Sequence, residues 1–141
     1  MSLTLTFWGT RGSIPTPGPS TVRYGGNTAC VEVQTESALI VLDAGTGIRP
    51  LGVRLRDYSG RIDLMLSHLH LDHLQGIGFF EPCFRPDVEL HIWGPASTTA
   101  DLGERLARYL SPPLTRLTPA HCALYSRANS DPENAKACRS R

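Results

Sequence analysis

Three histidines and one aspartate lie close together in the middle of the chain. Their segment reads His68-Leu69-His70-Leu71-Asp72-His73. In an extended backbone, side chains two residues apart point to the same side, so His68 and His70 can bind one cation while Leu69 and Leu71 face the core. If a helix begins at about Asp72, then Asp72 and His73 can reach a second ion, because consecutive side chains diverge on a helix of ~3.6 residues per turn.

This donor set favours metal chemistry. Four ligands exceed what one catalytic ion with an open coordination position accepts, so the spacing predicts two divalent metal ions. Imidazole with carboxylate suits zinc, with manganese or iron as alternatives. The competing interpretation is a histidine-rich turn at the end of a strand, whose side chains only form hydrogen bonds. The four predicted ligands are His68, His70, Asp72 and His73.

Alternating strands and helices must position this segment. Period-two or apolar runs predict strands at residues 3–8, 29–34, 38–42, 62–66 and 88–93, with a hairpin tip at 35–37. Helical spacing predicts a helix capped by Thr46 that extends to Leu55, a short helix from about Asp72 to Phe80, and a helix at 97–110. The strand at 62–66 therefore delivers the histidine segment at its end.

Composition limits the classes of protein. With 141 residues and 40% hydrophobic content the chain can bury one core. Its net charge of +1 does not by itself indicate a long nucleic acid partner, and a local basic patch stays open as the alternative. No apolar stretch approaches the ~20 residues that span a bilayer, and residues 1–6 do not resemble a secretory leader, so the expected location is cytoplasmic. The four scattered cysteines are expected to be reduced structural thiols, with a ligand role for Cys30 or Cys83 as the alternative.

The histidine segment resembles the HxHxDH motif of the metallo-beta-lactamase superfamily, residue for residue. The stretch 42–47, Leu-Asp-Ala-Gly-Thr-Gly, is similar to the Asp-x-Gly turn of that superfamily. Residues 9–15 and 23–28 look like the opening of its ribonuclease Z-like and phosphodiesterase-like members. These likenesses cover roughly residues 3–113, which we expect to form the N-terminal part of the domain. Residues 114–141 have little apolar periodicity and are expected to be a disordered or non-native tail.

The resemblance implies an α/β fold, namely the N-terminal half only of a metallo-beta-lactamase αββα sandwich. It also implies that Asp72 is catalytic, binding the second ion and orienting the nucleophile. Asp43 would support the metal-binding loop by accepting hydrogen bonds, unless it is a simple turn residue. Arg11 and Arg23 flank glycine-rich turns and are candidate phosphate contacts, although these turns could be purely structural.

The remaining ligands of the superfamily have no clear counterpart. His91 falls in a predicted strand, His121 lies in an unmatched setting, and Asp131 lies in the tail. We therefore expect a truncated chain, or one whose tail is translated in a shifted reading frame.

Three functions remain open. The first is a metal-dependent phosphodiesterase acting on a small phosphodiester, a nucleotide or an RNA end. The second is a hydrolase of thioesters, lactones or lactams on the same scaffold. The third is an inactive half-domain that binds metal weakly or pairs with another chain. That other chain could be a second copy, which would form a homo-oligomer. No membrane partner is expected.

Overall fold

The strands of this computed structural model form a single mixed sheet. The structure describes residues 2–111, 122–126 and 136–137. Within these residues the strands lie side by side in chain order. They are β1 Leu3–Gly9, β2 Cys30–Thr35, β3 Leu39–Leu42, β4 Gly60–Met65, β5 Val88–Gly94, β6 Cys122–Ser126 and β7 Lys136–Ala137. Strands β1, β2 and β3 pair antiparallel, β3 to β6 pair parallel, and β7 returns antiparallel to β6.

Helical segments connect the parallel strands, as parallel pairing requires a crossover. Helix α1 (Ile48–Arg54) joins β3 to β4, helix α2 (Leu71–Leu74) and two short 3-10 turns join β4 to β5, and helix α3 (Leu102–Tyr109) follows β5. Because β3, β4 and β5 run in parallel, their carboxyl ends meet at one edge of the sheet. In the described part of the chain no helix is long and apolar enough to cross a membrane.

In the part of the chain that the structure describes, the helices cover one face of the sheet and leave the other open. The core lies between alternate strand residues and the helical layer. The strands contribute Val41, Ile62, Leu64, Leu90 and Ile92, and the helical segments contribute Ile48, Leu51, Phe80, Leu102 and Leu106. On the opposite face Leu3, Leu5 and Phe7 are 64%, 53% and 65% exposed. A sheet with helices on one side only is one half of an αββα sandwich, in agreement with the predicted fold class.

The predicted starts of two helices were wrong. Thr46 does not cap α1, because Gly47 holds the cap position and the Thr46 hydroxyl is bonded to Asn27 and to the backbone of Thr28. Helix α3 begins at Leu102 instead of residue 97, since Asp101 forms a capping box with Glu104. Hydrogen bonds, long-range ones at Thr46 and a local capping box at Asp101, thus decided boundaries that apolar spacing left open.

Leu71 was expected to face the core but is 61% exposed. The extended backbone ends at His70, which is the cap residue of α2, so the side-chain alternation that holds from His68 does not continue. Leu69 does pack against the core.

Most of the predicted tail lies outside the described residues, including His121 and Asp131. Two pieces of it, β6 and β7, are described as strands, although little apolar periodicity led us to expect disorder there. An edge strand can pair through its backbone, which the composition of the segment does not report.

Candidate metal centre

The candidate site lies at the carboxyl edge of β3 and β4. Asp43 directly follows β3, and its backbone N–H donates to the carbonyl of Met65 at the end of β4, 2.9 Å away. Ser67 follows β4 after one intervening residue, and the histidine segment leads from it into α2. Adjacent parallel strands therefore bring Asp43 and the histidine segment together.

The four predicted ligands, here called the donor cluster (His68, His70, Asp72 and His73), are neighbours in space. The ring centroid of His68 lies 4.6 Å from that of His70 and 4.0 Å from that of His73. Asp72 Oδ2 lies 3.5 Å from His73 Nε2. As the side chains stand, however, no three His, Cys, Asp or Glu groups among the described residues converge in a geometry that could hold a metal ion.

Asp43 contacts two of the three histidines, His73 directly and His68 through Ser67. Its Oδ1 accepts hydrogen bonds from the Ser67 backbone N–H at 2.8 Å and from the Ser67 hydroxyl at 2.9 Å, while Oδ2 lies 2.8 Å from His73 Nδ1. The same Ser67 hydroxyl lies 3.0 Å from His68 Nδ1. The His68 and His73 rings thus both have Nδ1 engaged on the side of Asp43 and Ser67, so Nε2 is the ring nitrogen that each could offer to a metal ion.

The N-terminal loop reaches the cluster through Ser13. The backbone N–H of Ser13 donates to Asp72 Oδ2 at 2.9 Å, and this bond holds the pKa of Asp72 below its usual range. Sequence reasoning missed this contact, because a backbone N–H is present at almost every position and carries no signal of its own. The loop at 9–15 is therefore part of the site.

Backbone strain is concentrated at the same place. Among the described residues Ser13 and Asp43 are the two non-glycine residues with positive φ, at 71° and 63°. Left-handed backbone is unfavourable for residues with a side chain, although aspartate tolerates it better than most. Both strained residues donate or accept hydrogen bonds at the donor cluster, and such strain is common where function requires a fixed geometry.

The phosphate candidates differ in position. Arg11 is exposed, and its backbone N–H donates to the carbonyl of Asn27 at 3.0 Å; two residues later the same loop contacts Asp72 through Ser13. The Arg23 guanidinium instead lies 5.0 Å above the ring of Tyr24.

The other possible ligands have structural surroundings. Cys30 is fully buried, and burial, with a smaller contribution from Asp43, raises its pKa to about 12, so the thiol stays protonated at neutral pH. Since thiolate is the form that binds metal, the structural interpretation of Cys30 is favoured. His91 lies in β5, where its Nε2 is 2.6 Å from Glu89.

The chemistry of the donor cluster fits divalent metal even though its side chains do not converge. Ligating histidines almost always bond their second ring nitrogen to a carboxylate, carbonyl or similar group, and His73 has this arrangement with Asp43. A groove of about 560 Å³ opens beside Asp43 and Ser67 and is bounded by Trp93.

No protein-family model matches this chain, and no curated protein matches it in sequence. Solved structures do resemble it. YhfI of Bacillus subtilis, a metallo-beta-lactamase fold protein, has a TM-score of 0.57 and 18% identity over 89% of this chain and 46% of YhfI. Human tRNase Z, short form (ELAC1), has a TM-score of 0.55 and 23% identity over 92% of this chain and 47% of that protein.

These similarities confirm the predicted fold. The chain has the metallo-beta-lactamase fold and spans about half the length of the solved structures that it matches. Because the sequence identities are below 25%, the structural similarity is evidence for a shared fold alone. The function has to be argued from the site.

Proposed function

We propose that this chain carries the metal-binding part of a metal-dependent phosphodiesterase. One observation carries the proposal: Asp43 engages Nδ1 of His73 directly and Nδ1 of His68 through Ser67, so that both rings present Nε2. A histidine-rich turn without a ligand would not require both rings to be fixed in the same sense by one carboxylate.

The residues divide the work as follows. His68 and His70 would hold one divalent ion, and Asp72 and His73 a second, with zinc favoured by the donor chemistry. Such ions lower the pKa of bound water and stabilise the charge that develops on a phosphoryl oxygen. The Ser13 N–H holds the Asp72 carboxylate in place and lowers its pKa. This ionised carboxylate would bind the second ion and orient a water molecule.

The choice of a phosphodiester rests on the loop at 9–15 and on one structural neighbour. The Ser13 contact brings this loop to Asp72, and Arg11 in the same loop is exposed and able to meet a phosphate with two parallel hydrogen bonds. The neighbour is named a tRNase Z, which supports an RNA end or another phosphodiester as substrate. This chain spans about half the length of that neighbour, so phosphodiesterase activity of the chain is part of what we propose.

Metal content tests the first step. The purified 141-residue chain, loaded with zinc and desalted, should retain bound zinc by elemental analysis, whereas the variants His68→Ala and Asp72→Ala should retain less. His91→Gln is the matched histidine control and should behave as wild type. Retention of equal zinc by all variants, or of none by the wild type, would overturn the proposed site.

Turnover tests the second step. The zinc-loaded chain is assayed on bis-p-nitrophenyl phosphate, a cyclic nucleotide, an RNA with an extended 3′ end, a thioester and a lactone. We expect hydrolysis of a phosphodiester that is lost in Asp72→Ala. Hydrolysis of only the thioester or the lactone would instead assign the acyl-transfer function, and metal binding without turnover on any substrate would contradict an active phosphodiesterase.

A further inference from the structure

Thr28 lies at the junction of three segments behind the donor cluster. It is fully buried just before β2, and its hydroxyl accepts the backbone N–H of Thr46 at 2.8 Å and the side-chain amide of Gln75 at 3.1 Å. Its own backbone N–H donates to the Thr46 hydroxyl at 2.9 Å. Thr46 belongs to the turn after β3, and Gln75 directly follows α2.

The same junction fixes α2 against the turn that carries Asp43. The backbone N–H of Ala44 donates to the carbonyl of His73 at 2.8 Å, and Gly76 N–H donates to the carbonyl of Ala44 at 2.9 Å. The approach is so close that a methyl group at Gly45 would lie 2.5 Å from the Asp72 carbonyl oxygen and 2.5 Å from the Thr28 hydroxyl. The Thr28 hydroxyl therefore touches both sides of the contact that sets the position of Asp72 and His73.

We propose that the Thr28 hydroxyl is a positioning group for the metal centre, which holds α2 in register with the Asp43 turn. The inference rests on the proposed function and adds a residue to it. The Thr28 hydroxyl accepts from one donor on each side of the junction, so its loss leaves the part-buried N–H of Thr46 without its acceptor and releases the Gln75 amide.

The test compares a variant without the hydroxyl with one that keeps it. Thr28→Val removes the hydroxyl and keeps the shape, and Thr28→Ser keeps the hydroxyl. Thr35→Val is the matched control, because Thr35 also accepts two backbone N–H groups, from Ser37 at 3.2 Å and Ala38 at 2.9 Å, but lies at the other end of β2. Zinc affinity, measured by competition with a chromophoric chelator, should fall by ~10-fold in Thr28→Val, as for other groups that orient metal ligands.

The conservative variant and the control separate positioning from general stability. Thr28→Ser should restore the affinity, and Thr35→Val should leave it unchanged even if its urea midpoint falls as far as that of Thr28→Val. Gln75→Leu cuts only the bond to α2 and covers the case in which Thr28→Val does not fold; we expect a loss of affinity there too. Wild-type affinity in both Thr28→Val and Gln75→Leu would overturn the inference.

Amide hydrogen exchange decides the inference independently of metal. In Thr28→Val the N–H groups of Ala44 and Gly76, which join α2 to the Asp43 turn, should exchange faster relative to sheet amides such as that of Val41. Unchanged exchange at both would overturn the positioning role. A wild type that binds no zinc would refute the proposed function, and the exchange result would still decide the role of Thr28 in positioning α2.

Discussion

Replacing Asp43 by asparagine perturbs one carboxylate and leaves the backbone as it is. Asparagine, like aspartate, tolerates the left-handed conformation that this position has, with φ of 63°, so the substitution adds no new strain. The amide keeps one oxygen that can accept from Ser67. Its NH2 group, however, replaces the oxygen that lies 2.8 Å from His73 Nδ1.

The expected loss follows from the tautomer of His73. An amide donor facing Nδ1 requires that nitrogen to accept, which places the ring proton on Nε2, and a protonated Nε2 cannot bind a metal ion. Otherwise the His73 ring must turn away from the new amide, and the ring then loses its orientation. Groups that orient metal-bound histidines contribute about 10- to 100-fold in affinity. We expect Asp43→Asn at the upper end of this range, a loss of about 2.8 kcal/mol of binding free energy.

The assay is zinc affinity by chelator competition at constant pH, with Asp63→Asn as the control. Asp63 lies in the middle of β4, and its carboxylate pairs with Arg61 and not with a member of the donor cluster. Asp63→Asn should bind zinc as the wild type does. Zinc affinity within about twofold of wild type in Asp43→Asn would refute the reasoning, because the hydrogen bond to His73 would then have no role in ligation.

Three further predictions concern stability. Gly45→Ala should lower the free energy of unfolding in urea by about 1–3 kcal/mol, because its new methyl group would lie 2.5 Å from two oxygens, whereas Gly12→Ala, with nothing within 4 Å, should leave stability nearly unchanged; equal effects would contradict the packing argument. Ser13→Gly should raise the unfolding free energy by about 1 kcal/mol, since glycine adopts φ of 71° without strain, and a loss of stability would show that the serine side chain matters more than its backbone. Burial raises the pKa of Asp63, but hydrogen bonds from Arg61 and an indole N–H outweigh it, so the folded-state pKa lies below the usual range. The stabilisation by this carboxylate is therefore present at neutral pH and is lost as pH falls through the lowered pKa. Asp63→Asn should flatten this part of an acid unfolding profile.

Spacing alone predicted the order of the elements well where the apolar pattern was long. The strands β1 to β5 fall within one or two residues of the predicted runs, since strand formation here depends on alternate burial that is written in the sequence. Helix starts were less predictable. Thr46 looked like a cap, but its hydroxyl had a partner distant in sequence, Thr28, that only the folded chain brings near.

For the site, the sequence alone determined which atoms could bind metal. Three imidazoles and a carboxylate one or two residues apart lie near each other in the chain, so the sequence alone selected His68, His70, Asp72 and His73 as the candidate ligands. The resemblance to a known superfamily added Asp43 and the fold, and the fold is confirmed by the solved structures.

Only the tertiary structure showed which distant residues form hydrogen bonds with this segment. Ser13 lies 59 positions from Asp72 and Thr28 lies 47 positions from Gln75, and both contacts exist only because the parallel strands and α1 return the chain to one edge of the sheet. Hydrogen bonds of this kind have no periodicity and no distinctive residue type, since a backbone N–H or a threonine occurs everywhere in a sequence. Their positions, and the strain at Ser13 and Asp43, could be read only from the folded chain.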